Sequence, residues 1–340
     1  MTGGHQHQTD VVIVGAGPVG LFAVFECGMV RLHCHVVDIL DDAGGQCTAL
    51  YPEKPIFDIP GFPRIEAAEL VLRLKAQASP FRPAYHLGEQ VQSLEPLSGG
   101  DWRVTTSKGT VLQARVVIIA AGVGAFGPNR PPLPDIETYE GKSVFYYVTH
   151  RESFRGKRIV IAGGGDTAVD WALSLAEIAA RVSVIHRRDK FRAAPESEAR
   201  LKALSKAGKI DLVVPYQLHG LEGDDGRLQR VIVSTLDGAQ RGIEADVLLP
   251  FFGLSMSLGP IADWELALRH NQIAIDASTT ATSKPGIFAI GDVATYPGKL
   301  KLILTGFAEA AIAARSAYAL VHPEMPLHFE YSTTSGVPTA

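Results

Sequence analysis

The sequence predicts an α/β protein in which one strand–turn–helix device is used twice, and three observations carry that prediction. An apolar strand runs into Gly15-x-Gly17-x-x-Gly20 in DVVIVGAGPVG, and another runs into Gly163-x-Gly165-x-x-Ala168 in RIVIAGGGDTA. Each glycine turn opens a helical pattern that leads to a second apolar strand. In both copies that second strand ends 23 positions past the first glycine (15 to 38, 163 to 186), at Asp38 and at His186. At 340 residues the chain is too long for one ordinary core, so two domains are expected.

Taken in order, residues 10–14 form the first strand, the helix after Gly20 stops near Gly28, and residues 35–38 form the next strand. Alternating residues at 102–113, broken at Lys108-Gly109, read as an antiparallel hairpin, and a buried strand follows at 116–122. The second copy repeats the order. It has a helix from Asp166 to about residue 180, a strand at 182–185, a hairpin at 228–244 around Asp237-Gly238 and a buried strand at 246–253. A short apolar strand at 286–292 then ends in Gly291-Asp292, and a long apolar helix at 302–321 returns the chain to the first domain. The expected architecture is two Rossmann-like, three-layer ββα dinucleotide-binding domains, the first discontinuous (1–122 with 254–340) and the second spanning 123–253. Gly and Ser near 123–128 and 253–257 mark hinges about which the domains are expected to rotate.

Both glycine turns carry the chemistry of a dinucleotide site. Gly15 permits the tight turn, Gly17 lets a pyrophosphate approach the backbone, and Gly20 lets helix and strand pack closely. The amides at the helix start and the helix dipole favour phosphate charge. Gly163, Gly165, Asp166 and Thr167 form the corresponding cradle in the second copy. The endpoints differ in sign. Asp38 accepts hydrogen bonds from ribose hydroxyls, whereas Arg187 and Arg188 attract a 2′-phosphate, with Arg192 completing the clamp. A solvated charge run is the other reading of His186-Arg187-Arg188. Asp292 reads as an acceptor for the ribityl chain of a flavin, with the following helix N-terminus facing the flavin's N1–C2 edge; a plain helix-start turn is the alternative.

Composition bounds the function classes. Hydrophobic residues at 46% and charged residues at 20% are ordinary for a soluble globular enzyme. A net charge of −4 argues against a broadly basic nucleic-acid binder. No apolar run reaches the length of a membrane span, so no membrane association is expected. The polar start MTGGHQHQTD lacks a signal-type core, which points to a cytoplasmic protein, and His5 and His7 read as part of a frayed arm. The three cysteines, at 27, 34 and 47, include no CxxC and fit a reducing compartment. Cys47 reads as a small packing residue beside the cofactor, since a redox role needs a second thiol.

GAGPVG, Gly44-Gly45-Gln46, GGGDTAVDWAL, HRRDKFRA and IFAIGDV, in that order across nearly the whole chain, resemble the thioredoxin-reductase superfamily of flavoproteins. ALYPEKPIFDIPGFPRI at 49–65, KLILTGFAEAA at 301–311 and the tail at 331–334 resemble its ferredoxin–NADP reductase branch. That resemblance implies FAD in the first domain, NADPH in the second, and electron transfer between NADPH and ferredoxin through the flavin. By similarity the FAD contacts are Gly15, Gly17, Gly20, Asp38, Gln46, Tyr51, Val91, Phe126, Asp292 and Thr333. Those to NADPH are Gly163, Gly165, Asp166, Thr167, Arg187, Arg188 and Arg192. Tyr51 is similar to the ring that stacks on one flavin face, with a core tyrosine in a Pro-rich loop as the other reading. Tyr331 is similar to the ring covering the opposite face, which has to move aside for hydride to arrive. A homodimer is also implied.

A thioredoxin reductase carries CxxC just before its second glycine motif, but residues 144–151 here read VFYYVTHR. Electrons are therefore expected to leave the flavin directly, for a ferredoxin or a flavodoxin. Reduction of a small oxidant, a flavin monooxygenase and a nucleotide sensor without turnover compete with this reading. The monooxygenase's linking fingerprint is missing, and the presence of both Asp38 and Asp292 counts against the sensor.

Overall fold

The run VVIV at 11–14 contains no polar residue, which suits a parallel strand covered on both faces. In the computed structural model of the chain, which describes residues 6–328 and 332–338, Val11, Val12 and Ile13 are indeed fully buried. Their strand, Gln6–Val14, lies between Cys34–Asp38 and Val111–Ile119 and is parallel to both. The sheet has seven strands. From one edge they run Ala84–Leu87, Cys34–Asp38, Gln6–Val14, Val111–Ile119, Trp102–Thr106 and Val91–Pro96, and Ile287–Ala289 pairs in parallel with Val111–Ile119.

Alternation splits the core in two. Val11, Ile13, Val36, Val116 and Ile118 face the helices Pro18–Met29, Ala67–Ala78 and Ile303–Val321. Val12, Val14, Val37, Val117 and Ile119 pack instead on Trp102, Val104, Leu258, Ile261 and Trp264. Each buried Val or Ile contributes ~1.5–3 kcal/mol, so these strands firmly anchor the loops at their C-terminal ends.

The expected hairpin arm and buried strand at 111–122 are one continuous strand. Val111–Ile119 pairs antiparallel with Trp102–Thr106 and parallel with Gln6–Val14. Gln113 and Arg115 are half-buried at alternate positions, and the strand is buried throughout from Val116 onward. That change of pattern reflects how the two faces are covered, and the strand does not break there.

The chain forms two compact units, Met1–Phe126 with Met256–Ala340, and Gly127–Ser255; it crosses between them at Ala125–Pro128 and Leu254–Ser257. The second unit repeats the plan with four parallel strands in the order Ile210–Val213, Arg181–Ile185, Arg158–Ala162, Val247–Pro250. Helices Asp166–Leu175 and Pro195–Lys206 cover one face. The antiparallel strands Gln217–Asp224, Arg227–Ser234 and Gln240–Glu244 cover the other, through Val231, Val233 and Ile243. The strand at 217–224 escapes a pattern reading because QLHGLEGD has only two large apolar residues and two register irregularities. The helix from Asp166 ends at Leu175, well short of residue 180. Beyond it, Ile178 O accepts from Gly156 N and Ala180 N donates to Lys157 O, so the backbone turns to the preceding loop despite helix-favouring residues. The chain is thus α/β, with two Rossmann-like three-layer units.

The first turn is packed without slack. Gly15 has φ of +112°, and a Cβ on Gly20 would strike the Gly15 carbonyl oxygen, a backbone atom with nowhere to move. Replacing Gly20 with valine is expected to cost at least about 3 kcal/mol of stability, read as a fall in the urea midpoint. An unchanged midpoint would mean that the helix can shift away from the turn.

Candidate functional site

Ligands of open α/β sheets sit beyond the carboxyl ends of the strands, where neighbouring strands diverge. Gln6–Val14 is that divergence point in the first unit, with Cys34–Asp38 on one side and Val111–Ile119 on the other. A cleft lies there, at the ends of the strands. Its walls include Gly15, Gly17, Asp38, Gln46, Tyr51, Val91 and Asp292. Seven of the ten residues expected to touch FAD therefore converge on one cavity. Gly20 lies beneath, holding helix to turn. Phe126 belongs to the crossing strand Ala125–Pro128, Thr333 is exposed in the short helix Ser332–Ser335, and Tyr331 lies outside the described residues.

Gly17 is open: a Cβ there would meet no protein atom within 4 Å. Packing gives no reason for glycine at this position, whereas a closely approaching ligand does. Pro18 at the first helical position has no N–H to lose, and the remaining first-turn amides have no partner inside the helix. Asp38 closes the turn from the side. Its Oδ2 accepts from Ala16 N at 2.6 Å and its Oδ1 from Leu40 N at 2.9 Å, which leaves lone pairs for further donors. Burial pushes its carboxyl above the usual aspartate range, against the pull of those two amides.

Tyr51 and Cys47 both line the cleft beside Asp292, which bears on both electrostatically. Burial pushes the Cys47 thiol up to about 11, so it stays protonated at neutral pH and is a poor nucleophile. Burial likewise raises Tyr51 above the usual phenol range, which keeps its ring neutral. Asp292 is raised too, chiefly by burial, while Lys299 and Lys301 pull it down. Ile303 brings the start of the long helix to the cleft wall.

The sequence reading missed several wall residues. Glu89 and Gln90 line the cleft because Glu89 N donates to Asp38 O at 2.9 Å and Gly88 N to Leu40 O at 2.8 Å. Leu258, Pro260 and Ile261 enter from far along the chain. Neither loop has a motif; only the folded sheet brings them to the site.

The second unit repeats backbone hydrogen bonds of the first turn. Gly163 N donates to Ile185 O at 3.1 Å, as Gly15 N does to Val37 O at 2.8 Å. Arg192 N donates to Gly164 O at 2.6 Å, as Gly44 N does to Ala16 O at 2.8 Å. Arg192 and Gly44 each stand six places past the strand-end residue, His186 or Asp38. Where the first unit has a glycine against the turn, the second has an arginine. Gly165 is open like Gly17, Thr167 is exposed beside it, and Asp166 Oδ1 accepts from Ala194 N at 2.9 Å, tying the arginine loop to the helix start. Burial and then the charges of Arg187, Arg192 and Arg188 hold His186 below the usual imidazole range, against a backbone hydrogen bond at Lys190. All three arginines are exposed, and among the described residues none has a carboxylate partner within 4.0 Å. The loop sits on the glycine turn, which a mere solvated charge run would not require.

The pyridine nucleotide-disulphide oxidoreductase family matches residues 9–317. The chain belongs to that family. Within it, the chain is similar to the ferredoxin–NADP reductase of Paramagnetospirillum magneticum, 65% identical over 98% of this chain and 99% of the relative. The ferredoxin–NADP reductase of Rhodospirillum rubrum is 62% identical over 97% of each. Identities of this size over the full length place this oxidoreductase among the ferredoxin–NADP reductases of the family. Among solved structures, the thioredoxin reductase of Lactococcus lactis in its FR conformation matches with a TM-score of 0.78 at 26% identity, covering 93% of this chain and 99% of that one. The family name includes a disulphide, but all three cysteines of this oxidoreductase are free and buried.

Asp38 gives a signed pH effect in the cofactor-free protein. The folded chain holds its proton to higher pH than the unfolded chain, so stability contributed by the protonated carboxyl is lost as pH rises through that window. Asp38→Asn cannot ionise. The stability of the unaltered protein is expected to fall relative to Asp38→Asn as pH rises from the ordinary aspartate value of about 4, measured by urea unfolding. A rise in that relative stability would contradict the raised carboxyl.

Proposed function

We propose that the chain is an FAD-dependent reductase that passes electrons between NADPH and ferredoxin. The observation that carries this reading is the duplicated turn with endpoints of opposite sign, in a chain 65% identical to a ferredoxin–NADP reductase. Bound FAD supplies chemistry that no side chain has, accepting two electrons as a hydride and releasing them singly.

The cleft fits that group. Gly17 and the first-turn amides of Pro18–Met29 hold the pyrophosphate, and Asp38 accepts from the adenosine ribose. Asp292 accepts from the ribityl chain, and the start of Ile303–Val321 directs its dipole at the ring's electron-rich edge. Tyr51, neutral and half-buried, offers an aromatic face. In the second unit, Gly165 and the start of Asp166–Leu175 take the NADPH pyrophosphate. Arg187, Arg188 and Arg192 take the 2′-phosphate, and a carboxylate at that place would repel it. Gln46, Val91, Phe126, Thr333 and the Tyr331 ring keep the cofactor roles that the family resemblance assigns them.

Residues 144–151 hold no cysteine, Cys47 is a protonated thiol, and Cys27 and Cys34, which bear on each other, are buried in the core and do not line the cleft, so the cleft offers no dithiol relay. Direct transfer to a one-electron carrier suits that chemistry. A homodimer and a cytoplasmic setting belong to the same proposal, and three free thiols support a reducing compartment. Among the described residues no helix is long and apolar enough to cross a membrane.

Arg187→Gln/Arg188→Gln is expected to raise the KM for NADPH about 10- to 100-fold in ferredoxin reduction, with NADH kinetics little changed. An equal effect on both nucleotides would contradict 2′-phosphate recognition. Failure of the unaltered protein to reduce ferredoxin with NADPH would overturn the carrier.

A further inference from the structure

Behind the Gly291-Asp292 turn lies a charged cluster that none of the cofactor contacts uses. Glu309 is buried in the apolar helix Ile303–Val321, where its Oε2 accepts from Gly291 N at 2.7 Å. Its Oε1 accepts from the Tyr296 hydroxyl at 2.8 Å and from the Lys299 ammonium. The Lys299 and Glu309 side chains are each only 4% exposed, so neither charge has water to fall back on. An ion pair this deep gains little over an apolar pair of equal volume, which makes stability alone a poor reason for it.

What the cluster does hold is geometry. Gly291 has φ of +74°, and its N–H is fixed by a carboxylate three residues past Gly306 on the helix. Gly306 is where that helix presses on the rest of the site. A Cβ there would strike Val19 of the first helix and would lie 3.3 Å from Gly291 Cα. The same carboxylate ties down the Tyr296–Lys299 loop, with the Lys299 ammonium 5.4 Å from the Tyr296 ring centre. One side chain thus joins the Asp292 turn, the lysine loop and the first turns of the long helix.

We propose that Glu309 is a positioning residue for the cofactor cleft, holding Asp292 and the start of the Ile303–Val321 helix in fixed register through its bond to Gly291, with Lys299 as its neutralising partner. The role rests on the FAD reading of the cleft. Burial is the main influence that raises the Asp292 carboxyl; Lys299 and Lys301 lower it and Glu309 adds a smaller upward push. KLILTGFAEAA shows the signal in retrospect, as one acid among alanines on a buried helix face.

Reach and charge can be separated. Glu309→Asp keeps the charge opposite Lys299 but is one methylene too short for Gly291. Lys299→Met/Glu309→Gln removes both charges and keeps an acceptor at full reach. FAD dissociation constants are measured by fluorescence titration of the cofactor-free proteins, with melting temperatures taken in parallel. Glu309→Asp is expected to bind FAD about tenfold or more weakly at a near-native melting temperature, and the double variant within about threefold of the unaltered protein. Normal binding by Glu309→Asp overturns the proposal, as does equal weakening of both variants, because affinity would then not follow reach. Failure of the unaltered protein to bind FAD would instead sink the cleft assignment and is seen separately.

Discussion

A Cβ at Gly20 has no room because the Gly15 carbonyl already occupies its place, and Gly15 is itself pressed against the Ala120 carbonyl at the end of the next strand. Three backbone segments meet there without intervening side chains. Their closeness fixes where the first helix begins relative to both strands, and everything in the cleft is referred to that point. The helix start faces outward over Gly17, where the protein leaves open space. Close packing on one side and emptiness on the other come from glycines only a few residues apart. The cores on both faces of the sheet supply the apolar burial that keeps the contact closed.

Charge is then placed on a frame that the two units share. The backbone hydrogen bonds that set Gly15 and Gly44 recur at Gly163 and Arg192, so that shared part of the frame does not select the nucleotide. On the proposed reading, selection falls to what stands at the strand end and six residues beyond it: Asp38 and Gly44 in one unit, His186 with its arginines and Arg192 in the other. An acid whose oxygens already hold two backbone amides suits hydroxyl donors and repels phosphate. Guanidinium groups do the reverse. The buried Lys299–Glu309 pair follows a different logic, where opposite charges cancel and geometry is what they leave behind.

Much of this was legible in the residues. The two glycine motifs and the equal spacing to Asp38 and His186 gave both Rossmann-like units, and seven of ten expected FAD contacts line one cleft. These positions were readable because backbone conformation and close approach demand particular residue types at fixed spacing. The remainder was hidden for physical reasons. Glu89, Gln90, Leu258 and Ile261 reach the cleft through strand pairing and loop return, which impose no local pattern. Gln217–Asp224 has too few apolar residues to announce a strand. The helix after Asp166 stops early because Ile178 and Ala180 find backbone partners in the preceding loop. Glu309 was invisible because its meaning depends on Gly291, distant in pattern though near in space.

The central claim is that electrons enter and leave through the cleft alone, without a thiol relay. Cys27, Cys34 and Cys47 are buried and free of disulfides, Cys27 and Cys34 lie outside the cleft, and the Cys47 thiol, held up at about 11, stays protonated beside Tyr51. That claim can be counted directly by anaerobic titration of the FAD-loaded protein with dithionite, following the visible flavin band. The expected endpoint is about two electrons per chain, the capacity of one flavin. An endpoint near four would reveal a second two-electron centre such as a disulfide, and would contradict it.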